Sequence, residues 1–131
     1  MSEVVQLPSD WDERAKANNF ATPKEIVTAL NADGTIILDV RTEEEIQQDS
    51  LQNLPENVSW KKTGCTRTEC PALELDASKF VSDKNTTVVV YCKSGARANR
   101  AKMVLEKQGY TNVLNGGGLC DMVIYPKLKN L

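Results

Sequence analysis

The segment Thr86 to Tyr91, Thr-Thr-Val-Val-Val-Tyr, constrains the fold more than any other part of the chain. Its β-branched and aromatic residues follow one another without polar alternation, which is typical of a strand buried on both faces. Thr35 to Val40 has the same character, whereas Asn57 to Trp60 and Asn112 to Leu114 are weaker strand candidates. Since strands of this kind occur in parallel sheets covered by helices, we expect such a sheet at the centre of the molecule.

Helical segments are expected between these strands. Thr22 to Glu25 has the form of a capping box with proline at the first helical position, and Thr42 to Glu45 repeats the capping pattern with an acidic first turn. Asp10 to Asn19 and Gly95 to Gln108 also fit helices, and a short helix is expected near Ala77 to Ser82. Strands that alternate with helices predict an α/β fold.

Length and composition exclude several classes of function. The 131 residues suit one globular domain, with residues 1–18 expected as an N-terminal extension and residues 19–131 as the α/β unit. The chain has no histidine, so Ser-His-Asp and Cys-His machinery and histidine-ligated zinc are excluded. A net charge of −2 gives no general support for nucleic-acid binding.

The N-terminal residues bear on location. Met1 to Pro8 has neither the basic region nor the long apolar run of a signal peptide, and no segment approaches the ~20 apolar residues that span a bilayer. We therefore expect a cytoplasmic protein with reduced thiols and no membrane contact. A location in an organelle stays open, because a targeting segment that has been removed leaves no trace.

Cys92 is the leading candidate nucleophile because it directly follows the strongest strand and precedes a helix. Ligands of open α/β sheets bind beyond the carboxyl ends of strands, and amides at a helix N-terminus stabilise a thiolate. Gly95 allows a tight loop and Ser94 adds a hydroxyl, while Lys93 and Arg97 attract an oxyanion. The alternative is a buried structural thiol beside solvated charges, and placement alone leaves both open.

Three segments together resemble the single-domain rhodanese family. They are Ile37 to Glu45, with its Asp-Val-Arg, Val88 to Ala98 around Cys92, and Gly109 to Gly117. They stand in the order of the family, and the resemblance extends from about Phe20 to Tyr125. It implies a central parallel sheet flanked by helices on both faces, with a six-residue loop that starts at Cys92.

The resemblance also implies sulfur transfer. Cys92 would take the outer sulfur of thiosulfate or a related donor as a persulfide, and a thiophilic acceptor such as cyanide or a thiol would remove it. No metal or organic cofactor is implied. The expected anion-binding residues are Lys93, Ser94, Gly95, Ala96 and Arg97, with Arg41 adding positive potential to the pocket. For Arg41 the alternative is an ion pair with Asp39 that fixes the edge of the sheet.

Two other functions remain as alternatives. Related phosphatases and arsenate reductases have loops one residue longer, so the spacing from Cys92 to Arg97 favours sulfur over phosphate. A non-enzymatic interaction module or persulfide carrier would keep the fold without turnover. Degenerate modules commonly lose the cysteine, so the intact Cys92 argues against this alternative.

The sequence departs from the family pattern in two segments. Leu51 to Val58 lacks the histidine and glycine often found there, and the glycine turn Gly116 to Gly118 leads to Leu119 instead of a tryptophan. These departures bear on substrate preference more than on fold.

The other three cysteines have alternative interpretations. Cys120 is either a resolving thiol for Cys92 or a small buried residue on a helix. Cys65 and Cys70, in the irregular segment Lys61 to Asp76, form either a disulfide or two unpaired surface thiols.

Overall fold

A computed structural model of the chain describes residues 5–129 and residue 131; the first four residues of the expected extension lie outside it. Its sheet has four strands: β1 (Ile36–Asp39), β2 (Ser59–Lys62), β3 (Thr87–Cys92) and β4 (Asn112–Gly118). The strands are all parallel, in the order β2-β1-β3-β4. The predicted parallel sheet is therefore confirmed, with the strongest predicted strand next to its centre.

Six α-helices connect and cover the strands within the described residues. They are α1 (Trp11–Asn18), α2 (Pro23–Leu30), α3 (Glu43–Gln48), α4 (Pro71–Asp76), α5 (Ala96–Lys107) and α6 (Leu119–Met122), with 3₁₀ turns at Ala77–Lys79 and Tyr125–Lys127. Both predicted capping boxes are present. The hydroxyls of Thr22 and Thr42 accept hydrogen bonds from the amides of Glu25 and Glu45, whose carboxylates accept the threonine amides in return.

Helices pack on both faces of the sheet and give the molecule two apolar layers. On one face α4 and α5 cover alternate residues of the central strands, and on the other face α2 and α6 do so. Members of the first layer include Leu38, Val40, Leu73, Val88, Val90, Ala101 and Leu105. Members of the second include Ile26, Ile37, Val89, Tyr91, Met122 and Tyr125. The side-chain alternation of β1 and β3 explains why both of their faces are apolar.

The structure corrects two sequence predictions. The helix expected near Ala77 to Ser82 begins earlier, at Pro71, inside the segment expected to be irregular. Pro71 suits the first position of a helix, and Leu73 turns into the core, but two cysteines and a glycine nearby had indicated a loop. The glycines Gly116 to Gly118, expected as a turn, instead extend β4, and Gly118 lies opposite Cys92.

The expected N-terminal extension packs on the α/β unit. In α1, the Trp11 indole donates a hydrogen bond of 3.0 Å to the hydroxyl of Tyr125, which donates one of 2.6 Å to the carbonyl of Gly116. Tyr125 is fully buried. A division of the chain at residue 18 stays a prediction, and α1 is fixed against the end of β4. No helix among the described residues is long and apolar enough to cross a membrane.

Candidate active site

Cys92 is the last residue of β3 and lies directly below the N-terminus of α5. Its side chain is buried, with 1% of the residue exposed. The amide of Gly95 donates a hydrogen bond of 3.0 Å to Sγ. N–H groups and the positive end of a helix are features that stabilise an anionic sulfur in general, and the Gly95 amide and the start of α5 lie next to Cys92.

Gly95 has a backbone conformation that other residues adopt only with strain. Its φ is 107°, and a Cβ at this position would collide with the ring of Phe20. Phe20 in turn lies just before α2 and packs in a T-shaped arrangement with the ring of Trp11. The tight loop predicted around Gly95 is therefore present, and its packing partner comes from the N-terminal part of the chain.

Two side chains hold the carbonyl groups on the far side of the loop. Arg14 donates a hydrogen bond of 3.0 Å to the carbonyl of Ser94. The fully buried Asn115 donates one of 3.0 Å to the carbonyl of Gly95. The two carbonyls therefore have fixed partners away from the sulfur, provided by α1 and β4.

Arg97 is paired with a carboxylate. Its guanidinium forms two hydrogen bonds with Glu45, of 2.6 and 2.9 Å. Arg97 holds the pKa of Glu45 down at about 2, and this hydrogen bonding is also the main reason that the pKa of Arg97 is raised, with the nearby Cys92 sulfur adding to the effect. The loop thus contains the predicted cation, but much of its charge is balanced by Glu45.

Arg41 forms the ion pair with Asp39 that the sequence left as an alternative. The Arg41 guanidinium contacts both carboxylate oxygens, with a shortest distance of 2.8 Å, and both residues are buried. The hydroxyl of Tyr91 donates a hydrogen bond of 2.7 Å to the same carboxylate and accepts one from Trp60. Burial raises the pKa of Tyr91, so the phenol stays protonated and can donate. This network joins the carboxyl ends of β1 and β3.

A cavity of about 390 Å³ opens beside the Cys92 loop. Residues that line it include Arg41, Glu45, Lys93, Leu119 and Cys120. Cys92, the residue before Lys93, is buried and is not among the residues that line the cavity. Among the three cations of the predicted site, Lys93 alone forms no ion pair within the described part of the chain. A larger cavity, of about 560 Å³, lies between Val27 and Leu54 and shares Asp49 and Val123 with the first.

The structure bears on the alternative interpretations of the remaining three cysteines. Cys65 and Cys70 form a disulfide and are buried in the same apolar layer as Cys92. Cys120 is an exposed free thiol, so its interpretation as a small buried residue is wrong. Partial desolvation and the neighbouring Asp121 raise the pKa of Cys120, which disfavours its thiolate. No group of three His, Cys, Asp or Glu residues in the described ranges is arranged to hold a metal ion.

Four residues near the loop were missed as site residues. The sequence predicts Glu45 only as a residue at the start of a helix, and it does complete the capping box of α3. Arg14, Asn115 and Asp121 carry no motif of their own, and their partners are distant along the chain. One signal could have found Asn115 and Asp121: β3 and β4 are neighbours in a parallel sheet, so residues at the end of β4 lie near Cys92 at the end of β3.

Comparisons with known proteins agree with this geometry. The model of the rhodanese-like domain family matches residues 22–118. A thiosulfate sulfurtransferase, PspE of Escherichia coli, is 36% identical over 92 residues, which cover 70% of this chain and 77% of the relative. A tRNA sulfurtransferase of Shewanella frigidimarina is also 36% identical, over 78% of this chain but only 19% of its own length.

Solved structures give the same result. A rhodanese with anions from E. coli superposes with a TM-score of 0.53 at 34% identity, over 66% of this chain and 89% of that one. The polysulfide-sulfur transferase homodimer of Wolinella succinogenes superposes with a TM-score of 0.51 at 26% identity, over 92% and 85%. With a Cys92 loop below a helix N-terminus and a family match over most of its length, this chain belongs to the rhodanese-like domain family.

Proposed function

We propose that the protein transfers sulfane sulfur from thiosulfate, or a related donor, to a thiophilic acceptor through a persulfide on Cys92. The Cys92 thiolate attacks the outer sulfur of thiosulfate, the S–S bond of the donor breaks, and sulfite leaves with the bonding electron pair. Cyanide or a thiolate then attacks the terminal sulfur of the persulfide, and Cys92 leaves as a thiolate. Neither step needs an external oxidant or a proton transfer, so the absence of histidine is no obstacle.

The observation that carries this proposal is the 3.0 Å hydrogen bond from the Gly95 amide to Cys92 Sγ at the start of α5. Donors aimed at an anionic sulfur stabilise the attacking thiolate and the leaving thiolate of the second step. The segment from Cys92 to Arg97 is one residue shorter than the phosphate-binding loops of related enzymes, which supports a sulfur donor.

Donor binding in this proposal depends on amides and on one cation. Arg41 is matched by Asp39 and Arg97 by Glu45, so these two pairs add little net charge to the site. Lys93 lines the cavity as an exposed cation. We infer that a dianion such as thiosulfate is attracted by Lys93 and held by the amides of Lys93 to Arg97. The volume of the cavity suits a small acceptor such as cyanide or a low-molecular-weight thiol.

Mass spectrometry of the intact protein after incubation with thiosulfate tests the proposal. A gain of about 32 Da, one sulfur atom, is expected on the wild type and on Cys120→Ser, and not on Cys92→Ser. Addition of cyanide should remove the added mass and yield thiocyanate. A Cys92→Ser variant with full thiosulfate:cyanide activity would contradict the mechanism. A wild type that gains no sulfur from thiosulfate or polysulfide would favour the interaction-module alternative.

The location of the protein is a separate proposal. The cytoplasm is the location that we propose, although a disulfide such as Cys65–Cys70 is more typical of oxidising compartments. Alkylation of thiols in intact cells before lysis distinguishes the two. A reduced pair fits the cytoplasm, and an oxidised pair argues for another compartment.

A further inference from the structure

The peptide unit between Ser94 and Gly95 has both of its polar groups engaged. Its carbonyl accepts a hydrogen bond of 3.0 Å from Arg14, and its N–H donates one of 3.0 Å to Cys92 Sγ. The peptide is trans, so its carbonyl and its N–H point in opposite directions. A donor that fixes the carbonyl on one side therefore aims the N–H at the sulfur on the other side.

Arg14 is itself held in one position. Its guanidinium forms two hydrogen bonds with the carboxylate of Asp121, of 2.7 and 2.8 Å. Asp121 is fully buried and also accepts a hydrogen bond of 2.7 Å from the amide of Gly118, opposite Cys92 in the sheet. The guanidinium lies 5.6 Å from the centre of the Phe20 ring, the ring that packs on Gly95. A planar group held at so many points has little freedom to move.

We propose that Arg14, oriented by Asp121, is a positioning residue for Cys92: it fixes the Ser94–Gly95 peptide so that the Gly95 N–H faces the sulfur. Both residues lie outside the segment that matches the family, residues 22–118. The expected effect on the rate of sulfur transfer rests on the proposed function. The control of Cys92 reactivity by Arg14 of α1 does not, because it can be measured without any sulfur donor.

A structural role for the ion pair predicts a different result. If Arg14 and Asp121 only attach α1 to the domain, their removal lowers the free energy of unfolding and leaves the reactivity of Cys92 in the folded protein unchanged. If Arg14 instead aims the Gly95 N–H at the sulfur, removal of the pair makes the Cys92 thiolate less stable in the folded protein. The pH dependence of Cys92 alkylation separates these outcomes, because it reports the thiolate fraction.

The test uses the full chain in a Cys120→Ser background, so that iodoacetamide reports on Cys92 alone. Arg14→Met by itself would leave the buried Asp121 carboxylate without its partner and destabilise the fold. The main variant is therefore Arg14→Met with Asp121→Asn, in which the amide oxygen of Asn can still accept the Gly118 N–H. Lys16→Met, which removes an exposed cation from the same helix, is the matched control.

In the double variant we expect the midpoint of the alkylation profile to rise by about one pH unit, equivalent to about tenfold less thiolate at a pH below both midpoints. We expect kcat for sulfur transfer to fall with it, and Lys16→Met to match the wild type in both. A double variant that is folded by circular dichroism but has an unshifted profile would overturn the proposal. If the double variant does not fold, Asp121→Asn alone, which loosens the hold on Arg14, should shift the profile in the same direction, and an unshifted profile is again decisive.

Failure of the proposed function gives a different pattern. In that case the wild type takes no sulfur from thiosulfate, yet the alkylation profile of the double variant still shifts. Failure of the positioning role gives the reverse: the wild type is loaded with sulfur and the profiles coincide.

Discussion

Glu45 and Arg97 lie 52 residues apart in the chain and are joined by two hydrogen bonds at the edge of the Cys92 loop. Glu45 also completes the capping box of α3, so one carboxylate fixes the start of a helix and balances a cation of the candidate site. The loop is thereby connected to the segment that follows β1. This arrangement reduces the net positive charge available to an anionic donor.

Glu45→Gln is expected to strengthen the binding of thiosulfate. Glutamine keeps the capping interaction but removes the negative charge beside Arg97. The KM for thiosulfate should fall about three- to tenfold, and the effect should shrink at high ionic strength. Steady-state kinetics at two salt concentrations measure this. Glu44→Gln, at an exposed position of the same helix, serves as the control, and an unchanged or higher KM for Glu45→Gln would contradict the prediction.

Glu45 should also make stability depend on pH. Its pKa is about 2 in the folded protein against an ordinary value of 4.5, because of the hydrogen bonds from Arg97. The unfolded chain therefore takes up a proton first as the pH falls, and the stabilisation is present above about pH 5 and is lost towards pH 2. We expect the wild type to exceed Glu45→Gln by about 1–2 kcal/mol at pH 7 and to lose this advantage in acid.

Urea unfolding of both proteins at pH steps from 7 to 2 tests this, because other titrating groups cancel in the difference. An advantage of the wild type that grows as the pH falls would show that the carboxylate is not stabilised in the folded state.

Gly95→Ala should impair sulfur loading of Cys92. A Cβ at this position meets the Phe20 ring, and the residue has a φ of 107°. We expect a loss of about 2–4 kcal/mol in the free energy of unfolding and at least a tenfold slower gain of sulfur. Gly34→Ala is a matched control: Gly34 has a φ of 84°, but an added Cβ has no neighbour within 4 Å. The control should lose only about 1 kcal/mol and load normally. Equal effects of the two substitutions would exclude a specific role for the contact with Phe20.

Reduction of the Cys65–Cys70 disulfide should destabilise the fold moderately. The two cysteines are five positions apart, so the bond closes a short loop, and the expected contribution is about 2 kcal/mol. Urea unfolding with and without a reductant measures it, and Cys65→Ala with Cys70→Ala should be insensitive to the reductant. Equal stabilities of the oxidised and reduced wild type would show that buried packing, and not the covalent bond, holds this segment.

Local signals in the sequence predicted much of the fold. The capping boxes at Thr22 and Thr42 and the apolar run Thr86 to Tyr91 act within a few residues, so they are visible without a structure. The placement of Cys92 at a strand end below α5 followed from the order of these elements. The start of α4 was obscured because Pro71 stands among residues typical of loops.

The contacts around Cys92 were not accessible in the same way. Arg14 and Asp121 are 107 residues apart, and nothing in either segment indicates the other. A Cβ at Gly118 would collide with the carbonyl of Lys93, so this end of β4 needs glycine, a packing relation that glycine-rich sequence alone does not distinguish from a turn. The disulfide likewise depended on how the segment from Cys65 to Cys70 folds back on itself.

The chain of hydrogen bonds from Trp11 through Tyr125 to Gly116 has a practical consequence for shortened versions of this protein. A fragment trimmed to the residues that match the family, 22–118, would contain the complete Cys92 loop and all four strands. It would nevertheless leave the Gly116 carbonyl without Tyr125 and the Ser94 carbonyl without Arg14. It would also remove the buried ring of Tyr125 from the core. Fragments for labelling, fusion or crystallisation should therefore run from before Trp11 to beyond Tyr125.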